Sequence, residues 1–184
     1  MLAGPALSRA RVLPVIAGAS AAIWLGAALP VRVNRTSSAP LGVYAMHRTS
    51  DVGRTDLVVI CLQDSIAALG RARGYLSAGT CPSGTTPILK QVVAVAGDEV
   101  EFQRDVLAVN GQIIDRTQRH SMDSLGRPLE SLPFGSHIVR DGEVWVLAIH
   151  RERSWDSRYF GPVPRSSIVG IARPLLTLSL GEPQ

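Results

Sequence analysis

Two adjacent serines and one lysine are the residues of this sequence whose chemistry can combine into a catalytic group. Ser37 and Ser38 lie just before a proline in NRTSSAPLGVYAMH, residues 34–47. Lys90 is the single lysine among 19 Lys and Arg residues. A preference for arginine codons would explain that count, but a lysine can lose its proton in a protein and an arginine cannot. A serine hydroxyl and a neutral amine would supply the nucleophile and the base of an acyl transfer.

The surroundings of Lys90 favour a neutral amine. It lies in PILKQVVAVA, residues 87–96, where apolar residues precede it and resume from position 92. At an unperturbed pKa of about 10.4, a lysine is neutral only about once in 2,500 molecules at pH 7. Burial disfavours the charged form and can turn the amine into a working base. A lysine that extends to solvent from a strand edge is the alternative interpretation.

A third polar segment, SWDSRYFGPVP at 154–164, could support such a site. Ser154 could orient an amine by hydrogen bonding, and Asp156 and Arg158 have the spacing to stabilise a turn through an ion pair. The same segment could be a simple polar turn between strands. The four histidines have no local catalytic signature and no G-x-S-x-G motif occurs, so surface positions are expected for them. No Cys or His lies at metal-ligand spacing, and neither a metal nor a cofactor is expected.

The N-terminal part predicts a membrane anchor. Residues 13–31, LPVIAGASAAIWLGAALPV, carry no charge and would span about 28 Å as a helix. Arg9 and Arg11 precede this run, which favours a cytoplasmic N-terminus and an exported remainder. The predicted organisation is therefore a cytoplasmic segment 1–12, a transmembrane anchor 13–31 and an exported domain 32–184. A cleaved signal peptide is the alternative, because LGAAL offers small residues at a cleavage site.

The exported part is predicted to be mainly β. Short apolar runs rich in β-branched residues predict strands, and Asn110-Gly111 between two such runs predicts a hairpin. The expected strands lie at 57–62, on both sides of Gly97-Asp98 within 88–103, in the two arms of 106–115, and within 137–150 and 167–180. One short helix is expected at 64–74, capped by Asp64 or Ser65, and a long polar surface excursion at 116–136.

The two cysteines, Cys61 and Cys81, allow at most one internal disulfide. Export would place them in an oxidising compartment, where a bridge could tether the loop before the lysine strand. Two free thiols are the alternative, and the sequence leaves both states open.

In their order along the chain, these segments resemble the type I signal peptidases, and most closely the TraF branch, the peptidases of conjugative plasmid transfer. An apolar run is followed by N-x-T-x-S-x-P-x-G-V-Y, then by P-I-L-K-Q-V-V-A-V-A-G-D, then by S-W-D-S-R-Y-F-G-P-V. Three departures are visible: Gln91 stands where arginine is common, Val43 where leucine is usual, and A-I-H-R-E-R replaces the Gly-Asp-Asn-Arg run of housekeeping enzymes.

The resemblance implies a fold and a set of roles. The fold would be a mainly β, signal-peptidase-like catalytic domain with one N-terminal transmembrane helix. Ser38 matches the family's nucleophile, with its neighbour Ser37 the less favoured choice, and Lys90 matches the general base. Thr36 occupies the place of a hydroxyl that helps the nucleophile's own backbone N–H to bind the oxyanion.

The last segment would supply the support. Ser154 matches the serine that hydrogen-bonds the lysine. Asp156 and Arg158 match a pair that supports the site, and in the TraF branch that aspartate has been considered a catalytic partner. Pro40 and Gly42 would hold the nucleophile segment in the shape that presents Ser38 to Lys90.

The implied function is maturation of a pilin precursor by a peptidase of the bacterial inner membrane, with its catalytic domain in the periplasm. Both hydrolysis and cyclisation of the substrate are consistent with the family. The expected partners are a pilin or another membrane-associated precursor, membrane lipid and components of a conjugative type IV secretion system. No nucleic acid is expected, because the +4 net charge comes from scattered arginines. A housekeeping signal peptidase and a non-catalytic anchored component of a transfer apparatus are the alternatives.

Overall fold

The computed structural model describes residues 30–36, 38–103, 106–148 and 153–178, and within these ranges the predicted mainly β fold is confirmed. The strands of the described residues are β1 (Val31–Asn34), β2 (Leu41–His47), β3 (Leu57–Ile60), β4 (Ile88–Val95), β5 (Glu99–Phe102), β6 (Leu107–Val109), β7 (Gln112–Ile114), β8 (Gly135–Ile138), β9 (Glu143–Leu147), β10 (Val163–Pro164) and β11 (Ile168–Leu178). The helices are α1 (Asp64–Ala72), α2 (Ser157–Phe160) and a 3₁₀ turn at Arg165–Ser167.

The larger of two sheets carries the elements that matter for chemistry. Its strands follow the order β1-β2-β11-β3-β4-β9-β10, and all neighbours are antiparallel. Strand β4 lies well inside this sheet, between β3 and β9, and its continuous apolar run is buried on both faces. The sheet therefore places the lysine-bearing strand in the apolar interior and the short strand β1 at an edge.

The smaller sheet has the order β7-β6-β5-β8. The predicted hairpin joins β6 and β7, and its turn residues Asn110 and Gly111 have φ values of 50° and 76°. A two-residue loop with both central residues in the left-handed region matches the twist of the flanking strands, which explains the Asn-Gly pair. This sheet packs against an apolar cluster that includes Phe102 and Trp145.

A small core cluster lies below the nucleophile segment. Ala39, Tyr44, Val59, Leu89 and Ala172 pack together, and these residues come from four strands and the turn before β2. Each is at most 6% exposed. Because Ala39 follows Ser38 directly and Leu89 precedes Lys90 directly, this cluster fixes the backbones of both candidate catalytic residues at once.

The structure also corrects or extends the sequence prediction. Strands β1 and β2 were not predicted, because their flanking motif reads as a turn-rich loop. Gln63 is the N-cap of α1 and gives no side-chain cap bond, so the expected cap at Asp64 or Ser65 is wrong. Among the described residues no helix is long and apolar enough to cross a membrane. The predicted anchor 13–31 lies outside the described residues except at its last two positions.

Cys61 and Cys81 form a disulfide. Cys61 follows β3 and Cys81 lies in the loop that leads to β4, so the bridge joins two segments that flank the lysine strand.

We expect removal of this bridge to lower the free energy of unfolding by about 3 kcal/mol, because it closes a loop of 20 residues in the unfolded chain. Urea unfolding of a Cys61→Ser, Cys81→Ser double variant against the wild-type protein measures the difference. Equal midpoints for the two proteins would contradict the expectation.

Candidate active site

The segment that carries Ser38 is held by the side chain of Asn34, the last residue of β1. Asn34 Nδ2 lies 2.9–3.1 Å from three carbonyl oxygens, those of Thr36, Ala39 and Pro40. Its Oδ1 accepts hydrogen bonds from the Thr36 backbone N–H at 3.0 Å and from the Thr36 hydroxyl at 2.8 Å. Asn34 is 7% exposed, so water competes little for these bonds. One amide thus fixes the turn on both sides of Ser38.

Strand β2 supports the same turn from below. Tyr44 is 2% exposed, and its hydroxyl donates to the Pro40 carbonyl at 2.6 Å. Burial raises the pKa of Tyr44, because the phenolate would lose its hydration. At Gly42, a Cβ atom would lie 2.1 Å from the carbonyl oxygen of Leu176 in β11. Only glycine therefore allows β2 to pair this closely with β11.

Lys90 reaches this turn from the middle of the sheet. It is 4% exposed, and its cross-strand partner is Val58, which is fully buried. Its Nζ lies 3.4 Å from Ser38 Oγ and donates to Ser154 Oγ at 2.5 Å. The burial agrees with the apolar run around the lysine and excludes the solvent-directed conformation. Residues 52 and 64 positions apart in sequence thus meet around one amine.

A buried ion pair holds the backbone next to Ser154. Arg158 Nε and Nη2 donate to the two oxygens of Asp156 at 2.8 and 2.9 Å, and both side chains are at most 1% exposed. Asp156 also accepts from the backbone N–H of Arg158, which caps α2, and from that of Ala148. Arg158 Nη2 in turn donates to the Ser154 carbonyl at 3.2 Å. These contacts give the pair a supporting position behind Ser154.

Trp155 fixes the other side of this loop. Its ring lies 5.2 Å, centroid to centroid, from both Tyr75 and Phe160. It also packs over Gly70 of α1, where a Cβ atom would lie 2.7 Å from the Trp155 ring. The predicted polar turn at 154–164 is therefore a buried, aromatic-lined segment that contains the short helix α2.

We expect Asp156→Asn to lower the free energy of unfolding by about 3–5 kcal/mol, since it leaves a buried guanidinium without its counter-charge. Urea unfolding monitored by tryptophan fluorescence measures this loss. The double variant Asp156→Leu, Arg158→Met removes both charges and should recover part of the stability. A single variant as stable as wild type would show that the pair contributes little.

A cleft of about 830 Å³ opens over these groups. One wall is β1 and the turn after it, and the opposite wall is the segment 86–90 at the start of β4. Ser38, Lys90 and Ser154 line the cleft together. Within the described ranges, no group of His, Cys, Asp or Glu side chains could hold a metal ion.

The excursion at 116–136 contributes to this cleft, which sequence reasoning missed. Arg158 Nη1 donates to the Gln118 carbonyl at 2.9 Å, and the His120 backbone N–H donates to Tyr159 Oη at 3.0 Å. The expected surface positions are therefore wrong for His120 and His137, which are half-buried and each have a buried Nε2. No local pattern could have found these contacts, because they join residues about 40 positions apart.

The structure thus brings Ser38, Lys90 and Ser154 into contact and places Asp156 and Arg158 directly behind them. Thr36 is close in sequence to the nucleophile, but its hydroxyl donates to Asn34. Asn34 is the residue whose position was missed. It stands first in the motif N-x-T-x-S, and an asparagine directly before a turn-rich segment was the signal that the sequence offered.

Comparison with known proteins gives consistent matches. A sequence profile described as signal peptidase, peptidase S26 matches residues 7–176. A probable conjugal transfer protein TraF from Sinorhizobium fredii is 40% identical over 164 residues, which cover 87% of this chain and 82% of that protein. A plasmid transfer protein TraF from Escherichia coli is 34% identical over 165 residues, 88% of this chain and 93% of that protein.

Among solved structures, a signal peptidase I from Enterococcus faecalis V583 covers 66% of this chain and 96% of its own chain. Its TM-score is 0.37 and its sequence identity to this chain is 22%.

Proposed function

Because this chain belongs to the signal peptidase family S26 and is homologous to TraF conjugal transfer proteins, we propose that it is a membrane-anchored serine endopeptidase that uses Ser38 and Lys90. One observation carries this proposal. The buried Nζ of Lys90 lies 3.4 Å from Ser38 Oγ, within reach of the proton that the serine must lose. Burial disfavours a charged amine, so the neutral form can serve as the base.

The reaction begins when neutral Lys90 takes the Ser38 proton as Oγ attacks the scissile carbonyl carbon. The tetrahedral oxyanion collapses to an acyl-enzyme, and the leaving amine takes the proton back from Lys90. Lys90 then takes a proton from a water molecule as its oxygen attacks the ester, and it returns that proton to Ser38 Oγ when the ester bond breaks and the acid leaves. If the substrate's own amino group attacks instead, the product is a cyclic peptide. Ser154 keeps Nζ in place through the 2.5 Å hydrogen bond.

The oxyanion needs donors that point into the cleft. The Ser38 backbone N–H is the proposed first donor. The Thr36 hydroxyl proton is engaged by Asn34 Oδ1 at 2.8 Å, so Thr36 can donate to the oxyanion only after its hydroxyl turns away from Asn34. The first donor therefore carries more of the stabilisation than the sequence motif alone suggests.

The biological role follows from the homologous proteins. Those relatives are described as conjugal or plasmid transfer proteins, which supports a place in conjugation. We propose a pilin precursor as the substrate, membrane lipid around the anchor 13–31, and type IV secretion components as neighbours in the inner membrane. The catalytic domain would act in the periplasm, next to the membrane exit of the substrate.

Acyl trapping tests the proposed chemistry directly. The full chain in uncharged detergent is incubated with a serine-reactive lactam, and tryptic peptides are analysed by mass spectrometry. We expect the added mass on the peptide that contains Ser38, together with cleavage of a conjugative pilin precursor. A chain that neither reacts with the lactam nor cleaves the precursor would instead be a non-catalytic component of the apparatus.

Complementation separates conjugation from general secretion. A strain depleted of its housekeeping signal peptidase should not be rescued by this chain, because A-I-H-R-E-R replaces the housekeeping run before Ser154. Conjugation by a plasmid that lacks this gene should be restored by it. Rescue of growth in the depleted strain would contradict the assignment to conjugation.

A further inference from the structure

The cleft over Ser38 has an uneven charge. Three arginines line it: Arg32 in β1, Arg35 in the following turn, and Arg153 directly before Ser154. Among the described lining residues, Asp123 is the one acidic side chain. A groove that presents three guanidinium groups to a bound peptide attracts negative charge.

These three arginines have no carboxylate partner within the described part of the chain. The ion pairs found there join Arg54 to Asp98, Arg127 to Asp123, Arg158 to Asp156 and Arg173 to Asp56. Four of the described arginines therefore find an acid, and the three in the cleft are not among them.

Asp123 does not neutralise the cleft, because its charge is already satisfied. It accepts hydrogen bonds from Tyr75 Oη at 2.6 Å, from Arg127 Nε at 2.7 Å, and from the backbone N–H groups of Leu125 and Arg127. The bond from Tyr75, above all, holds the pKa of this carboxyl well below its usual range. Asp123 therefore stays ionised, and its charge is already paired with Arg127.

Arg32 lacks a counter-charge among the described residues, although its guanidinium is partly buried. It is half-buried, and burial lowers its pKa because the guanidinium loses hydration without gaining a counter-charge. It gives a hydrogen bond from Nη2 to the Pro87 carbonyl at 3.3 Å, across to the other wall of the cleft. Arginine has five N–H donors in a fork that matches a carboxylate, so most of this group remains available to a ligand.

We propose that the cleft binds a carboxylate of the substrate near the scissile bond, held by Arg32, Arg35 and Arg153. The proposal rests on the proposed peptidase function. These arginines line the same cleft as Ser38, and Arg153 directly precedes Ser154, so a carboxylate that they hold would lie near the reacting serine. The carboxylate belongs either to an Asp or Glu side chain or to the C-terminus of a substrate cut near its end.

Binding to a chain that cannot turn over tests this. Full-length Ser38→Ala protein in uncharged detergent is titrated with three fluorescent peptides of one sequence: a neutral Gln peptide with an amidated end, a Glu peptide with an amidated end, and the Gln peptide with a free C-terminal acid. We expect one acidic peptide to bind at least about fivefold more tightly than the neutral one at low ionic strength. Added salt should reduce that preference. The stronger acidic peptide identifies the source of the carboxylate.

Arginine variants then show which side chains cause the tighter binding of the acidic peptide. Arg32→Gln, Arg35→Gln and Arg153→Gln should each weaken it, while Arg32→Lys should retain part of it. Arg140→Gln is the matched control, because it removes the same charge from an exposed turn outside the cleft. Equal binding of all three peptides, no binding at all, or a preference that Arg140→Gln reduces as strongly as the cleft variants would overturn the proposal.

The same peptides separate this inference from the peptidase proposal. Equal cleavage of neutral and acidic peptides by the wild-type chain would leave the peptidase function and remove the carboxylate site. Preferential binding of an acidic peptide to Ser38→Ala, without cleavage of any peptide by the wild-type chain, would leave the carboxylate site and remove the peptidase function.

Discussion

Lys90→Arg is expected to reduce precursor cleavage by about 10²–10⁴-fold, although it keeps a positive charge at the same position. The reason is that a guanidinium does not lose its proton in a protein, so it cannot accept the one from Ser38. Cleavage rates of the purified variant and wild-type chains on one pilin precursor near neutral pH measure the effect. A variant with the wild-type rate would contradict the role of Lys90 as the base.

The control for this substitution must separate chemistry from packing. Lys90 is 4% exposed, so a larger side chain could disturb the sheet. Lys90→Met has a similar length and no amine, and it should lose activity to the same extent while retaining a cooperative thermal transition. Wild-type activity should rise with pH as the neutral amine becomes more populated, and both variants should lack that rise.

Ser38→Ala is expected to abolish acylation and to lower cleavage on the order of 10⁴-fold or more, since no other group would attack the carbonyl. Ser37→Ala is the matched control, because it removes a neighbouring hydroxyl from the same segment. That variant should keep activity within a few-fold of wild type. Initial rates of precursor cleavage, together with mass spectrometry of lactam-treated protein, report both variants.

The two serine variants can also reverse the assignment. An active Ser38→Ala chain beside an inactive Ser37→Ala chain would make Ser37 the nucleophile. If both variants lost cleavage activity but Ser37→Ala still became acylated, Ser38 would remain the nucleophile. The defect of Ser37→Ala would then lie in a step after acylation. Thermal unfolding of each variant shows whether the turn held by Asn34 has survived.

Much of the fold could be predicted because its signals are local. The apolar run around Lys90 predicted a buried strand, and Asn110-Gly111 predicted a hairpin. Strands β1 and β2 were missed since β1 is a short edge strand whose neighbours, a proline and a glycine, indicate a loop. Strand β1 pairs with β2, and β2 is joined to the sheet by β11, which lies more than 120 residues further along the chain.

The candidate site divides in the same way. Residue type and motif order singled out Ser38, Lys90 and Ser154, because the chemistry of a hydroxyl and an amine belongs to each side chain. The distance between them could not be predicted. Lys90 Nζ lies 3.4 Å from Ser38 Oγ although the residues are 52 positions apart, and that approach depends on the order of the strands in the sheet. No sequence period encodes that distance.

Residue types, local patterns and motif order were enough to establish which groups could react, the mainly β class and the resemblance to a peptidase family. The fold revealed that Asn34 holds the turn around Ser38 and that residues of the excursion 116–136 line the cleft. It also showed that three arginines of the cleft have no acidic partner among the described residues. Burial and charge pairing depend on which distant segments of the chain pack against each other. The sequence gives the chemistry of each side chain, whereas the tertiary fold determines which groups it contacts.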